Sequence, residues 1–219
     1  VPLKESLDFR LAHAHARDAV YSELDTGMLI DSLKTFQLPI VEIKSKAKDR
    51  ADYLQRPDHG RQLREDSLKI LNDENEKEND IVIILADGLS ATAINNHAVP
   101  LLKQLISELH TAKYKLAPLI IAQQARVALG DPIGATLKSQ LSLILIGERP
   151  GLSSPDSMGA YITYAPKPGL TDESRNCISN IRPEGLNYER ASGKILHLIK
   201  ASLALKLSGV QLKEDHLLD

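Results

Sequence analysis

Charged and turn-forming residues follow directly after an apolar run, Leu141 to Ile146, which predicts a fully buried strand. Gly147 permits a close approach of backbones, and Glu148 and Arg149 place charge where the strand ends. In open α/β sheets, ligands bind at the carboxyl ends of such strands. The alternative is a surface loop in which glycine and proline serve only the turn, so the interpretation depends on whether other loops join this one.

Two further loops have the same position relative to an apolar run. Asp87 to Ser90 follows the run Ile81 to Ala86, and Gln123 to Leu129 follows Leu119 to Ala122. Because the carboxyl ends of parallel strands lie at one edge of a sheet, the three loops would border one crevice. That crevice would carry few charges but many amide, hydroxyl and backbone groups. Such a surface suits a large, neutral, amide-bearing ligand better than a phosphate-dominated nucleotide.

The residue patterns do not favour a catalytic set. Ser90 lies between a strand and a helix, but its flanks read D-G-L-S-A instead of G-x-S-x-G, and no histidine falls in a partner loop. Cys177 precedes an apolar residue and is predicted to be half-buried and inert. No His, Asp and Glu spacing fits a metal site. Arg56 and Arg61 flank Asp58, a predicted helix N-cap, which suits either an anion site or a salt-bridged cap.

The composition excludes several classes of protein. A net charge of −2, the absence of Trp and an aromatic content of 4% argue against nucleic-acid binding. No apolar run approaches the roughly 20 residues that a membrane helix needs, and the N-terminus lacks the pattern of a signal peptide. The single cysteine excludes an internal disulfide framework and fits a reducing cytoplasm.

Alternating helix and strand patterns predict an α/β fold, with a mostly parallel sheet that carries helices on both faces. Residues 1–36 are predicted to be helical, and Pro100 is predicted to break or kink the helix that follows Ser90 near Val99. The stretch between Ala165 and Leu186 is predicted to be a loop, followed by a terminal helix. Strands are predicted at residues 38–43, 81–86, 119–122, 141–146 and 160–165.

The chain closely resembles the light chain (small subunit) of ethanolamine ammonia-lyase in four stretches that occur in the same order: RPDHGRQL, ADGLSATA, LIGERPGLSSPDS with YITYAPKPG, and RNCISNIRPEGL. Any one motif alone would be weak, but the ordered combination is specific. The resemblance covers the chain from Arg56 onward, whereas residues 1–55 match only in their helical character. It implies a small helical N-terminal domain over residues 1–55 and a Rossmann-like α/β cobalamin-binding domain over residues 56–219.

The resemblance also implies an activity, a cofactor and a partner. Members of this family form a hetero-oligomer with a large TIM-barrel subunit and use adenosylcobalamin to convert ethanolamine to acetaldehyde and ammonia. The cofactor lies between the two subunits, and the radical chemistry belongs to the large one. This chain would therefore be the non-catalytic subunit of a lyase, inactive alone, which agrees with the lack of a catalytic set in the sequence.

Carried over by motif, the family's cobalamin contacts fall on Val127 in ARVALGD, Glu148 in IGERPG and Cys177 in RNCISN. Val127 would offer backbone groups and an apolar face to the macrocycle. Glu148 would accept hydrogen bonds from amides or hydroxyls of the cofactor, and Cys177 would contact it by packing or through its backbone. Position in the loops alone adds a second rank of candidates, which comprises Asp87, Ser90, Arg126 and Ser154.

The seven histidines give a prediction about how cobalt would be coordinated. In some cobalamin enzymes a histidine within a D-x-H-x-x-G pattern replaces the lower benzimidazole ligand, and this pattern occurs nowhere in the chain. We therefore expect benzimidazole to stay on cobalt. An optical or spin-resonance spectrum that showed a protein histidine coordinated to cobalt would contradict this expectation.

Two further questions stay open at the level of the sequence. A stand-alone nucleotide-binding or regulatory α/β module is the alternative to a lyase subunit, and dependence of activity on a large subunit would distinguish the two. The resemblance implies a cytoplasmic location, either free or inside a bacterial microcompartment. Because the helical segment starts close to the first residue, we expect no extended N-terminal region of the kind that directs some relatives into microcompartments.

Overall fold

The computed structural model of the chain describes residues 2–74 and 78–212. The described part forms seven α-helices and six strands, in the order α1 (Leu3–Tyr21), α2 (Thr26–Leu33), β1 (Ile40–Lys44), α3 (Arg50–Gln55), α4 (Glu65–Asp73), β2 (Asn79–Ala86), α5 (Ala91–Thr111), β3 (Leu119–Gln123), α6 (Gly130–Thr136), β4 (Ser139–Gly147), β5 (Met158–Tyr164), β6 (Arg175–Ile181) and α7 (Tyr188–Leu205). No helix in these residues is long and apolar enough to cross a membrane.

All six strands belong to one sheet, in the spatial order β1-β3-β2-β4-β5-β6. The pairs β1–β3, β3–β2 and β2–β4 are parallel, whereas β5 runs antiparallel to both β4 and β6. The predicted α/β class with a mostly parallel sheet is therefore confirmed. The finer description of the fold as Rossmann-like stays a prediction.

Strand β6 lies where the sequence predicted a loop, and that prediction is wrong. Only Arg175, Ile178 and Ile181 of this strand are buried, and polar residues occupy most of its other positions. An edge strand that is half exposed has neither the continuous apolar run of a central strand nor a clean alternation, so periodicity does not identify it. The strand matters for the site because it carries Cys177.

Helices cover the two faces of the sheet unequally. One face buries the larger core, to which α2, α5 and α7 contribute Leu29, Leu101 and Ile195 among others. The opposite face buries a smaller core with Leu71 of α4 and Ile133 of α6. Since successive side chains of a strand point to opposite faces, the strands β1 to β5 contribute to both cores, whereas the apolar residues of β6 belong to the larger one. We call the second face the α6 face.

Helix α5 continues through Pro100, so a break near Val99 is wrong, whereas the alternative of a kink stays a prediction. A proline inside a helix removes one hydrogen bond and costs roughly 3 kcal/mol. The residues on either side, Ala98, Leu101 and Leu102, are completely buried in the larger core. Their burial offsets that cost, since each fully buried Leu contributes roughly 1.5–3 kcal/mol.

The predictions for the N-terminal part are confirmed: the described residues up to 36 are mostly helical, and β1 lies where a strand was predicted at residues 38–43. This strand pairs with β3, so residues 1–55 also contribute an edge strand to the common sheet. The division into two domains at residue 55 stays a prediction. Helix α1 packs lightly, and Ala19 is its one buried residue.

The helix predicted to begin at Asp58 begins later. Residues 59–61 form a short 3-10 turn, and α4 starts at Glu65. Asp58 makes no cap but accepts two hydrogen bonds from the Arg56 guanidinium, at 3.0 and 2.8 Å, and this pairing lowers the pKa of Asp58 to about 2. The salt-bridged alternative is thus the arrangement that the structure contains.

Candidate functional site

The loops after β2 and β3 leave the sheet toward opposite faces, because β2 leads into α5 and β3 leads into α6. In open α/β sheets this divergence creates the usual ligand crevice. Here the crevice is closed by Asp87, whose carboxylate accepts hydrogen bonds from the backbone N–H groups of Gln124 at 2.8 Å and Ala125 at 3.0 Å. A third comes from Gly88 at 2.9 Å. Asp87 is buried, so it joins two loops and is not a surface contact residue.

The burial of Asp87 makes the stability of the chain depend on pH. Burial raises the pKa of Asp87 from 3.8 to about 6, although the three backbone donors and Arg50 act in the opposite direction. For a raised carboxyl pKa, the contribution to stability is complete below pH 3.8 and is lost as the pH rises through about 6. At about 1.4 kcal/mol for each pKa unit, this change corresponds to about 3 kcal/mol.

We therefore expect the free energy of unfolding of the parent chain, relative to that of Asp87→Asn, to fall between pH 4 and pH 7 by up to about 3 kcal/mol. Asparagine does not titrate, so the comparison removes the contributions of the other carboxyl groups. Urea unfolding of both chains at several pH values measures the difference. A difference that does not change with pH would show that Asp87 titrates normally.

Three stacked side chains, Arg50, Tyr53 and Arg126, also hold the loops after β2 and β3. The guanidinium carbons of Arg50 and Arg126 lie 4.7 and 4.2 Å from the centre of the Tyr53 ring, on the scale of cation–π contacts. Arg126 also donates to the Tyr53 carbonyl at 3.1 Å, and Arg50 donates to the Gly88 carbonyl at 2.8 Å. The second-rank candidate Arg126 thus holds the scaffold together. Nothing in the local sequence pattern around Tyr53 indicates this stack.

The loops after β2 and β4 touch directly. The Leu89 N–H donates to the Gly147 carbonyl at 2.9 Å, and a Cβ atom at Gly147 would lie 2.0 Å from the Ser90 carbonyl oxygen. Glycine is therefore required at residue 147 for this approach. The Ser90 hydroxyl is buried and donates to the Pro155 carbonyl at 3.0 Å, so it fastens the long loop after β4. Because it is buried and engaged in this bond, the Ser90 hydroxyl is not exposed to a ligand on the surface.

A second set of hydrogen bonds holds the loop between β4 and β5 near Asp156. Asp156 lies 3.0 Å from Nε2 of His97, and Nδ1 of the same ring lies 2.8 Å from the Tyr188 hydroxyl. Arg182 pairs with the other carboxylate oxygen of Asp156 at 3.5 Å. His97 is buried, so the network joins α5, the loop and the start of α7. Ser154, another second-rank candidate, lies half-buried in a tight turn of this loop.

Glu148 links the ends of three strands. Its backbone N–H donates to the Ser157 carbonyl at 2.9 Å, and its carboxylate oxygen Oε2 accepts from the Ser157 hydroxyl and from the Asn180 N–H at 3.1 Å. Its other oxygen, Oε1, makes no hydrogen bond within the described part of the chain, and Gly159 leaves room beside it. Glu148 thus combines a structural oxygen with one that is available to a ligand.

Cys177 lies in the middle of β6, not in a loop, and it is exposed instead of half-buried. It pairs across the strands with Tyr161, whose side chain packs on the core of the α6 face. The thiol lies 3.3 Å from the Ser179 hydroxyl, two residues along the same side of the strand. Glu148 reaches this strand through Asn180, so the structure brings Glu148 and Cys177 to one region.

Val127 lies in a short 3-10 turn after β3 and packs, half-buried, against the core of the α6 face. It therefore shares a face with Glu148 and Cys177 but is not their immediate neighbour. Four strand spacings separate β3 from β6 in the sheet, a distance of roughly 19 Å. A ligand that touched all three residues would have to be large. Their role as cofactor contacts stays a prediction.

The candidate site on the α6 face, which we call the shelf, comprises Val127, Ile146, Glu148, Tyr161, Cys177 and Ser179. Ile146 is buried, Cys177 and Ser179 are exposed, and the other three are half-buried. Helix α6 covers the other half of the same face, where Arg175 of β6 forms a buried ion pair with Asp131. The shelf offers an apolar floor, hydroxyl and thiol groups, and one unshared carboxylate oxygen. This donor set fits a large ligand that carries both an apolar face and many amides, such as cobalamin.

The fold and this surface together define the class of the chain, an open α/β protein whose candidate site lies on the carboxyl-end half of one sheet face. Comparison with known proteins gives the family. Residues 1–213 match the model of the ethanolamine ammonia-lyase light chain. The chain belongs to the ethanolamine ammonia-lyase light chain family.

Curated relatives agree with this assignment over nearly the full length. A protein of Azotobacter vinelandii named ethanolamine ammonia-lyase small subunit is 48% identical over 218 residues, which are 98% of this chain and 81% of the relative. A protein of Rhodopseudomonas palustris with the same name is 48% identical over 219 residues, or 100% of this chain and 84% of the relative. One from Pseudomonas fluorescens is 45% identical over 218 residues, with 98% and 80% covered.

Proposed function

We propose that this chain binds part of an adenosylcobalamin molecule on its shelf and that the large subunit of ethanolamine ammonia-lyase covers the other side of the cofactor. The observation that carries the proposal is the common face of Val127, Glu148 and Cys177, which come from three separate strands or loops. Membership of the light chain family supports a role as a subunit over a stand-alone module.

Each of the three predicted contact residues has a physical task in this proposal. Val127 packs an apolar side chain against the macrocycle, and Glu148 Oε1 accepts a hydrogen bond from an amide N–H of the cofactor. The Cys177 side chain contacts the cofactor by van der Waals packing. When bound, adenosylcobalamin supplies the radical chemistry that converts ethanolamine to acetaldehyde and ammonia. The residues of this chain hold and orient the cofactor, and the substrate pocket belongs to the large subunit.

Reconstitution tests the proposal. The purified chain is expected to release no ammonia from ethanolamine, and the large subunit with adenosylcobalamin should need this chain for activity. Ammonia release is measured for each component alone, for each pair and for the complete mixture. Full activity without this chain would contradict the proposal, and so would nucleotide binding by the chain alone without any effect on the large subunit. A cytoplasmic location, free or encapsulated, belongs to the same proposal.

A further inference from the structure

Tyr161 is related through the strands and the core of the α6 face to all three predicted cofactor residues. It pairs directly with Cys177 across the strands, and it packs on the same core as Val127. A Cβ atom built at Gly159 would lie 3.0 Å from Glu148 Oε1 and 3.1 Å from Cε2 of the Tyr161 ring, so these two side chains flank the same glycine.

The exposure of Tyr161 differs from that of its neighbours on the same face. Ile144 and Ile146 of β4 and Thr163 of β5 are buried, whereas Tyr161 is only half-buried. Aromatic side chains bury large areas when a partner packs on their face, and a tyrosine hydroxyl usually finds a hydrogen-bond partner when it is covered. The ring is therefore the largest apolar element of the floor that a ligand could reach.

Polar groups lie on the neighbouring strand beside Tyr161, since its cross-strand partner Cys177 has its thiol 3.3 Å from the Ser179 hydroxyl. Burial raises the pKa of the Tyr161 phenol well above its usual value, and a hydrogen bond with Cys177 and the charge of Glu148 act in the same direction. The phenol thus stays protonated and remains a donor at neutral pH.

We propose that Tyr161 is a fourth cofactor-contact residue, an inference that rests on the proposed function. Its ring packs against the apolar face of the corrin macrocycle, and its hydroxyl donates to a carboxamide oxygen at the periphery. Cobalamin carries several peripheral carboxamides, and each presents an acceptor oxygen together with N–H donors. Glu148 accepts from such groups while Tyr161 donates to them. The two side chains therefore recognise the two halves of the carboxamides of one ligand: Glu148 binds the N–H groups and Tyr161 binds the oxygens.

The test measures the Kd of hydroxocobalamin for the complex with the large subunit, by absorbance titration well below the unfolding temperature. Tyr161→Phe is expected to raise Kd roughly three- to tenfold, because one hydrogen bond is lost. Tyr161→Ala is expected to raise it roughly thirtyfold or more, because the packing surface is lost as well. Tyr164→Phe is the matched control, since Tyr164 lies on the same strand but faces the opposite side of the sheet.

A second readout separates contact from support of the fold. Cys177 is the one cysteine of the chain, so mass spectrometry of this chain follows its alkylation. Bound cobalamin at ten times its Kd should slow that reaction about tenfold in the parent complex, and the same concentration should protect less in the Tyr161 variants. An unchanged Kd in Tyr161→Phe would overturn the hydroxyl contact, and an unchanged Kd in Tyr161→Ala would overturn the whole assignment. A parent complex that bound no cobalamin would overturn the proposed function itself.

Discussion

Replacement of Asp87 by Ala is expected to lower the free energy of unfolding by roughly 3 kcal/mol or more. The carboxylate accepts from the backbone N–H groups of Gly88, Gln124 and Ala125, and the change would leave all three without this acceptor. Each buried donor that loses its partner costs roughly 1–3 kcal/mol. A domain of this kind has a total stability of roughly 5–15 kcal/mol, so the loss is a large fraction of the whole.

Urea unfolding measures this loss, and Asp31→Ala provides the control. Asp31 also accepts a hydrogen bond, from Lys34 at 2.7 Å, but both side chains are exposed. Exposed ion pairs contribute roughly 0–1 kcal/mol, so the control should unfold close to the parent. If Asp87→Ala were as stable as Asp31→Ala, the carboxylate would not be what joins the loops after β2 and β3.

Replacement of Glu148 by Ala should weaken the binding of cobalamin to the assembled complex by roughly 10- to 150-fold. Loss of a hydrogen bond to a charged acceptor costs roughly 1.5–3 kcal/mol, which gives that range. The effect should fall on binding more than on folding, because Glu148 is half-exposed and its loop is also held by Ser90 and His97. Absorbance titration gives the Kd, and circular dichroism reports whether the fold is retained.

Two companion variants refine this experiment. Glu148→Gln keeps an acceptor oxygen without the charge and should lie between the parent and Glu148→Ala. Glu184→Ala removes an exposed carboxylate in the turn after β6 and should leave Kd unchanged. A Glu148→Ala complex that bound cobalamin as tightly as the parent would remove Glu148 from the proposed site.

The central strands and the loops that follow them could be predicted because apolar runs of branched residues identify buried parallel strands. Strands β2, β3 and β4 lie where they were expected, with their carboxyl ends at one edge of the sheet. Strand β6 could not be predicted, since its inward residues are interrupted by polar ones and its hydrogen bonds go only to β5. The sequence pattern therefore predicts a loop at Cys177, although the motif RNCISN is itself recognisable.

The sequence also could not predict that several loop side chains point inward. Asp87, Ser90 and Arg126 follow strands as ligand contacts do, yet each satisfies backbone groups of its own chain. Short polar side chains in loops serve both purposes, and only the fold decides which backbone groups lie within reach. Glu148 differs because both of the hydrogen bonds that its carboxylate accepts go to Oε2, so its Oε1 is available to a ligand.

The closed crevice between β2 and β3 affects whether phosphate-bearing molecules can bind this chain. In related architectures, that gap accommodates the phosphates of mononucleotides and dinucleotides. Here an aspartate with a pKa of about 6, and thus mostly ionised at neutral pH, fills it. A negative group in a poorly solvated position repels phosphate strongly. We therefore expect this gap to disfavour phosphate-bearing metabolites, which would have to approach the Asp87 carboxylate.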